Sequence, residues 1–289
     1  MKMILNRSIA YLQLMRVHQP IGLWLLGFPA LWSLWIAGHG HPNKNVLVIF
    51  MLGVFLTRSA GCAINDFADR KVDPHVKRTQ SRPLARGAIH PVEALIVFAA
   101  LNAIAFLLVL NLNTRTILLS FVGAGLMIVY PFLKRFFSIP QAWLGVAFTW
   151  SIPMAYSALN QELDAKVWLL FAAGVAWTLI YDTEYAMVDR DDDQHLTVRS
   201  SALLFGRYDR WLILGFQVAM IGLLYEFGVA NHLGTWYDAG LVVASILFGY
   251  QQQLIRQRQR EGCFQAFRNN AWVGLVIFVG IALDQLYAH

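Results

Sequence analysis

Residues 46–73 read VLVIFMLGVFLTRSAGCAINDFADRKVD, an apolar run over 46–64 that passes one arginine, Arg58, and leads into three aspartates, Asp66, Asp69 and Asp73, with Arg70 and Lys71 between the last two. An unbroken stretch of this length and hydropathy is what a helix needs to cross about 30 Å of hydrocarbon. The rest of the chain is built alike. Of 289 residues, 57% are hydrophobic and 14% charged, and the mean hydropathy is +0.50, whereas a soluble domain carries roughly 25% charge. These values exclude a water-soluble globule, a disordered chain and a collagen. Two cysteines, Cys62 and Cys263, exclude a disulfide scaffold and read as small reduced fillers.

Nine apolar runs stand out, at about 20–38, 46–64, 92–111, 116–133, 141–159, 167–185, 211–230, 238–254 and 271–288. The expected fold is therefore an all-α membrane bundle of nine spans, a single domain over 1–289. Residues 1–19 are expected to form an interfacial lead-in, and 65–91 and 186–210 the motif loops. The stretch 1–20 lacks the pattern of a cleavable signal. The tryptophans Trp24, Trp32, Trp35, Trp143, Trp150, Trp168, Trp236 and Trp272 read as belt anchors or packing, with the lining of a lipid pocket as the alternative. Nearly all lysines and arginines fall in alternate connections; the opposite set holds only Lys44, Arg115 and Lys166. By the positive-inside rule the basic set and the N-terminus face the cytoplasm and the C-terminus lies outside. The net charge of +6 is thereby explained by topology, and no nucleic-acid partner is expected.

More than half of the 17 acidic residues fall in two windows at cytoplasmic span ends. The first holds Asp66, Asp69 and Asp73, whose i, i+3, i+7 spacing puts them on one helix face. The second, YDTEYAMVDRDDD at 181–193, holds Asp182, Glu184, Asp189, Asp191, Asp192 and Asp193. Like charges on one face repel, and hard carboxylate oxygens suit Mg²⁺, which bridges to substrate phosphates. Two such clusters at matching depth fit two metal ions clamping one polyanion. The basic stretch after the first window supplies Lys77, Arg78 and Arg82, whose charge suits a diphosphate, although any cytoplasmic loop is basic. Arg58 lies two helical turns inside the second span and is expected to face a cavity. Lys134 and Arg135 after Tyr130-Pro131, and Arg16 at the mouth of the first span, are further candidates for an anion.

Four segments carry a resemblance that covers nearly the whole chain: RSAGCAINDFADRKVDPHVKRTQSRPL at 58–84, YDTEYAMVDRDDD at 181–193, RVHQPIG at 16–22 and YPFLKR at 130–135. They resemble the UbiA superfamily of intramembrane prenyltransferases, and in their longer forms its branch acting on 4-hydroxybenzoate. The resemblance implies a ring of helices around a cavity open to lipid. It implies Mg²⁺-dependent transfer of a polyprenyl group from polyprenyl diphosphate to 4-hydroxybenzoate, a step of ubiquinone biosynthesis. The N-terminal stretch has few Ser and Arg and no transit-peptide pattern, so a bacterial inner membrane is expected, and no obligate protein partner is evident. The metal and diphosphate role maps onto Asn65, Asp66, Asp69, Asp73, Asp189 and Asp193, with Asp182 a weaker carry-over. Arg58 and Arg135 are implied to bear on substrate anions. Asp191 is a candidate for removing the ring proton.

Two alternatives fit part of this pattern. A different acceptor, such as homogentisate, a dihydroxynaphthoate, or a haem or chlorophyll side chain, would keep the chemistry. A cation-coupled transporter would also place carboxylates in a membrane, but at its midplane rather than at span ends beside basic loops.

Overall fold

A computed structural model describes residues 2–76, 78–133, 137, 139–190 and 201–287. These residues form helices and turns and no strand. In chain order the helices are α1 (Lys2–Leu14), α2 (Ile21–Ala37), α3 (Lys44–Asp69), α4 (Pro91–Val109), α5 (Thr114–Leu133) and α6 (Pro140–Thr149). They continue with α7 (Ser151–Ala158), α8 (Ala165–Val188), α9 (Ser201–Phe205), α10 (Asp209–Ala230), α11 (Thr235–Leu254) and α12 (Arg260–Tyr287).

Local chemistry sets several of these ends. Asn43 caps α3 by accepting from the amides of Asn45 and Val46, and Asp164 caps α8 through those of Lys166 and Val167. Pro91 opens α4 behind a reciprocal cap between His90 and Glu93, the position where a missing N–H costs nothing. The run expected as one span at 141–159 is instead two helices meeting at Trp150. Pro153 accounts for the break, because its ring clashes with the carbonyl four residues back, at Thr149, where α6 stops.

Each of the nine apolar runs lies on a helix or on this broken pair. Among the described residues six helices are long and apolar enough to cross a membrane, and α2 is a shorter apolar helix. The count of nine crossings stays an expectation. The protein is a multi-pass membrane protein, and its outer surface agrees. Helix α4 presents Ile96 and Leu107, and α5 presents Leu118, to the surroundings at about 62–63% exposure, an arrangement stable only against lipid.

The core lies among α2, α8, α10, α11 and α12, where Trp32, Trp177, Phe227, Tyr237 and Ile277 are fully buried. Trp32 and Trp177 pack with ring centroids 5.1 Å apart. Each indole N–H is satisfied, Trp32 donating to the Gly274 carbonyl at 3.0 Å and Trp177 to Asn270 Oδ1 at 3.0 Å. Trp32 is thus a packing residue, Trp168 and Trp236 are exposed, and Trp24, Trp150 and Trp272 line the cavity described below. Gly274 is required by this packing: a Cβ there would stand 2.3 Å from Cδ2 of Phe28 and 2.7 Å from Cη2 of Trp177. Gly274→Ala is expected to destabilise the protein by about 1–3 kcal/mol through overpacking, read as a lower Tm in detergent.

Helix α1, the expected lead-in, is tied to the bundle. Arg7 pairs with Glu93 at 2.7 Å, Tyr11 donates to the same carboxylate, and Arg86 donates to Gln13 at 2.7 Å. The chain leaves α1 through Arg16 in the left-handed region, φ 53°. That turn brings the Arg16 side chain back over the end of α3.

Candidate active site

One cavity of about 1680 Å³ opens among α2 to α8 and α12, beneath the segment that follows α3. Helices α3 and α8 both run toward its charged end. Asp66 and Asp69 occupy the last turn of α3, and Asp189 is the residue that ends α8. These carboxylates therefore sit at the negative ends of two helix dipoles. Such a placement is unfavourable unless cations stand nearby.

The helix stops sooner than the aspartate spacing implies. Asp73 lies beyond it, in a 3-10 turn at Asp73–His75, so the three carboxylates do not share one helix face, and 65–69 are helix rather than loop. Likewise 186–188 belong to α8. The turn is buttressed by Thr79, whose hydroxyl donates to the Asp73 carbonyl at 2.9 Å, and it still delivers the Asp73 side chain to the cavity.

Arginines interleave the carboxylates. Arg16 reaches Asp66 at 2.7 Å, and Arg82 bridges Asp66 at 3.1 Å and Asp73 at 3.0 Å. Arg78 grips Asp189 with a fork, Nε to Oδ1 at 2.9 Å and Nη2 to Oδ2 at 2.5 Å, and lies 4.6 Å over the Tyr185 ring. Asp66 is 1% and Asp73 4% exposed. Burial pushes the Asp73 carboxyl above the usual carboxylate range; Arg82 pulls it back, and the charges of Asp66 and Asp69 add to the rise.

All of the expected site residues that are described line this cavity: Arg16, Arg58, Asn65, Asp66, Asp69, Asp73, Arg78, Arg82, Asp182 and Asp189. Lys77, Lys134, Arg135, Asp191 and Asp193 lie outside the described residues. Glu184 belongs to the acidic window by sequence but not by position. It is fully buried on the other side of α8, accepting from Asn270 at 2.7 Å. Among the described residues no three Asp, Glu, His or Cys side chains converge on a point, because the arginines stand between the acids. Mg²⁺ does not need such a cage, since it takes one or two carboxylates together with waters and phosphate oxygens. The all-oxygen donor set and its place at two helix C-termini fit that ion.

The wall also contains groups that motif spacing did not single out, among them Tyr130, Tyr181, Tyr185, Gln141 and Arg268. The signal for Tyr181 and Tyr185 was present: they flank Asp182 at i−1 and i+3 on the same helix. Away from the charged end the lining turns apolar, through Leu25, Phe50, Val54, Phe106, Val109, Phe121, Leu144 and Phe148.

Comparison with known proteins places this architecture. The model of the UbiA prenyltransferase family matches residues 26–277. The chain is 53% identical over 281 residues, 97% of each chain, to a 4-hydroxybenzoate octaprenyltransferase of Aeromonas salmonicida. It is 55% identical over 278 residues, 96% of this chain and 98% of the relative, to one of Vibrio cholerae. Among solved structures, a UbiA homolog from Aeropyrum pernix K1 superposes with a TM-score of 0.80 at 26% identity, covering 91% of this chain and 97% of the other. A UbiA homolog from Archaeoglobus fulgidus bound to DMAPP and Mg²⁺ shares the fold, with a TM-score of 0.66 at 16% identity over 92% of this chain and 98% of the other. With a family match and close relatives that each span almost the whole sequence, the chain belongs to the UbiA prenyltransferase family.

Proposed function

We propose that this protein transfers a polyprenyl group from polyprenyl diphosphate to the ring carbon ortho to the hydroxyl of 4-hydroxybenzoate, releasing diphosphate, in a Mg²⁺-dependent reaction. The observation that carries this reading is a cavity whose one end is charged with interleaved arginines and carboxylates and whose remainder is apolar. A substrate made of a diphosphate head and an isoprenoid tail matches both halves. The names of the relatives at 53% and 55% identity supply the acceptor.

Asp66, Asp69, Asp73, Asp189 and Asp193 would hold the metal, supported by Asn65 and Asp182. When bound, the cation supplies charge stabilisation to the departing diphosphate. Arg16, Arg78 and Arg82, already poised at these carboxylates, would turn their free N–H groups to phosphate oxygens, joined by Lys77, Lys134 and Arg135. The allylic C–O bond breaks with its electron pair leaving on diphosphate. The electron-rich carbon ortho to the phenol oxygen attacks the allylic carbon, and the ring loses a proton, for which Asp191 is the candidate acceptor. The apolar wall excludes water that would otherwise capture the carbocation, and aromatic faces of the lining favour positive charge. Arg58 would receive the carboxylate of the acceptor. Its backbone lies eight residues before Asp66 on α3, about 12 Å along the helix at 1.5 Å per residue, its guanidinium reaches back one turn to Cys62, and among the described residues no carboxylate pairs with it.

The location proposed is a bacterial inner membrane, with the N-terminus and both motifs cytoplasmic and the C-terminus periplasmic. The deciding assay is transfer from a labelled polyprenyl diphosphate to 4-hydroxybenzoate by the purified protein in liposomes. Product is expected with Mg²⁺ and none with EDTA, with recovery when Mg²⁺ is restored. Metal-dependent product with another aromatic acid alone would replace the acceptor, and transfer to no acceptor would overturn the reaction.

A further inference from the structure

Arg58 is seated against Gly22, the last residue of the RVHQPIG segment. Gly22, the second residue of α2, is buried and lines the cavity. A Cβ built on it would stand 2.4 Å from Nε, 2.4 Å from Nη2 and 2.8 Å from Cζ of Arg58. The guanidinium therefore lies directly on the α2 backbone, in space that exists only because position 22 has no side chain. Its hydrogen bond goes to Cys62 Sγ, one turn along α3, and sulfur is a weak acceptor. Shape rather than a strong polar partner fixes this cation. The atoms that any side chain at position 22 would displace are the far end of a flexible side chain, so the fold can yield there at little cost.

We propose that Gly22 is a positioning residue that sets acceptor specificity: by leaving the α2 backbone bare it places the Arg58 guanidinium where it meets the acceptor's carboxylate. This rests on the assignment of that carboxylate to Arg58. A methyl group at position 22 must push the guanidinium off its seat, and a misplacement of about 1 Å at a binding group can cost up to about 10²-fold. The loss falls on the aromatic acid, because the diphosphate is held by other residues at the charged end of the cavity.

The test compares Gly22→Ala, Arg58→Lys and the double variant, each as full-length protein in liposomes, with 4-hydroxybenzoate and with its methyl ester as acceptors. Gly22→Ala is expected to raise KM for the acid about tenfold or more, to leave KM for the diphosphate and the Tm unchanged, and to narrow the preference for acid over ester. In the Arg58→Lys background, which has no planar group pressed on α2, the same substitution is expected to have little further effect, a coupling that a general defect in α2 would not produce. If Gly22→Ala leaves KM for the acid at the wild-type value while Arg58→Lys raises it, the role of Gly22 is overturned and the acceptor assignment stands. If Arg58→Lys leaves both KM for the acid and the acid-over-ester preference unchanged, the assignment of the carboxylate to Arg58 falls, and the role of Gly22 with it. An equal loss from Gly22→Ala in both backgrounds would make Gly22 a structural residue and overturn the proposal.

Discussion

Asp66→Asn is expected to lower turnover by about 10³-fold while leaving the helix bundle intact. Asp66 is 1% exposed and sits in the last turn of α3, where it accepts from Arg16 at 2.7 Å and pairs with Arg82 at 3.1 Å. Asparagine keeps its size and one acceptor oxygen but removes the charge that would bind the metal. Loss of one preorganised charge-stabilising group at a reacting centre costs about 10²–10³-fold, and here the substitution also leaves Arg16 and Arg82 facing each other without the acid between them. Their heads line an open cavity in which water can solvate them, so the cost to folding stays small against that to catalysis. Single-turnover transfer and a Tm measured on the same preparation separate the two effects. Turnover near the wild-type rate would remove Asp66 from the machinery.

Much of this site could be read from sequence because charge in a membrane is costly and therefore sparse. Arg58, Asp66, Asp69, Asp182 and Asp189 stand out against apolar surroundings, and all five line one cavity. Spacing alone misjudged geometry where the backbone leaves the helix. Asp73 continues the i, i+3, i+7 series on paper, but α3 ends at Asp69, and a 3-10 turn carries the third carboxylate. The break at Trp150 was hidden for a related reason: hydropathy runs straight through 141–159, and the clash of Pro153 with the Thr149 carbonyl is a backbone effect that hydropathy does not register. Glu184 failed in the opposite direction. Two residues from Asp182 is more than half a helical turn, so it points into the core toward Asn270.

Contacts between distant segments were the least legible. Nothing local to Arg78 names Asp189, 111 residues later, and nothing in Gly22 announces Arg58. A tie of the same kind holds Arg190 of the second motif. Asp209, fully buried at the start of α10, accepts from Arg190 at 3.0 Å and from Arg258 at 2.7 Å, and Arg258 adopts the left-handed conformation, φ 53°, to reach it. Such pairs depend on which helices pack together, and single-span periodicity carries no information about that.

Asp189→Asn should match Asp66→Asn in the size of the loss, about 10³-fold in kcat, and the comparison with its partner gives the result its meaning. Arg78 forks onto Asp189 and lies over Tyr185, so either side chain, once removed, disturbs the same pair. The two differ in what they offer the substrate. On the proposed mechanism Asp189 would help hold the cation whose charge offsets that of the departing diphosphate, so its loss would fall on kcat and would not be recovered at high diphosphate concentration. Arg78 would offer positive charge to phosphate oxygens that are already charged in the ground state, so Arg78→Ala should raise KM for the polyprenyl diphosphate and recover much of its rate at saturation. Steady-state kinetics of the two variants, with diphosphate varied at saturating Mg²⁺ and acceptor, check this split. If both variants lost only kcat, or both only affinity, the Arg78 to Asp189 pair would act as one structural clasp and the division between metal ligand and diphosphate ligand would fail.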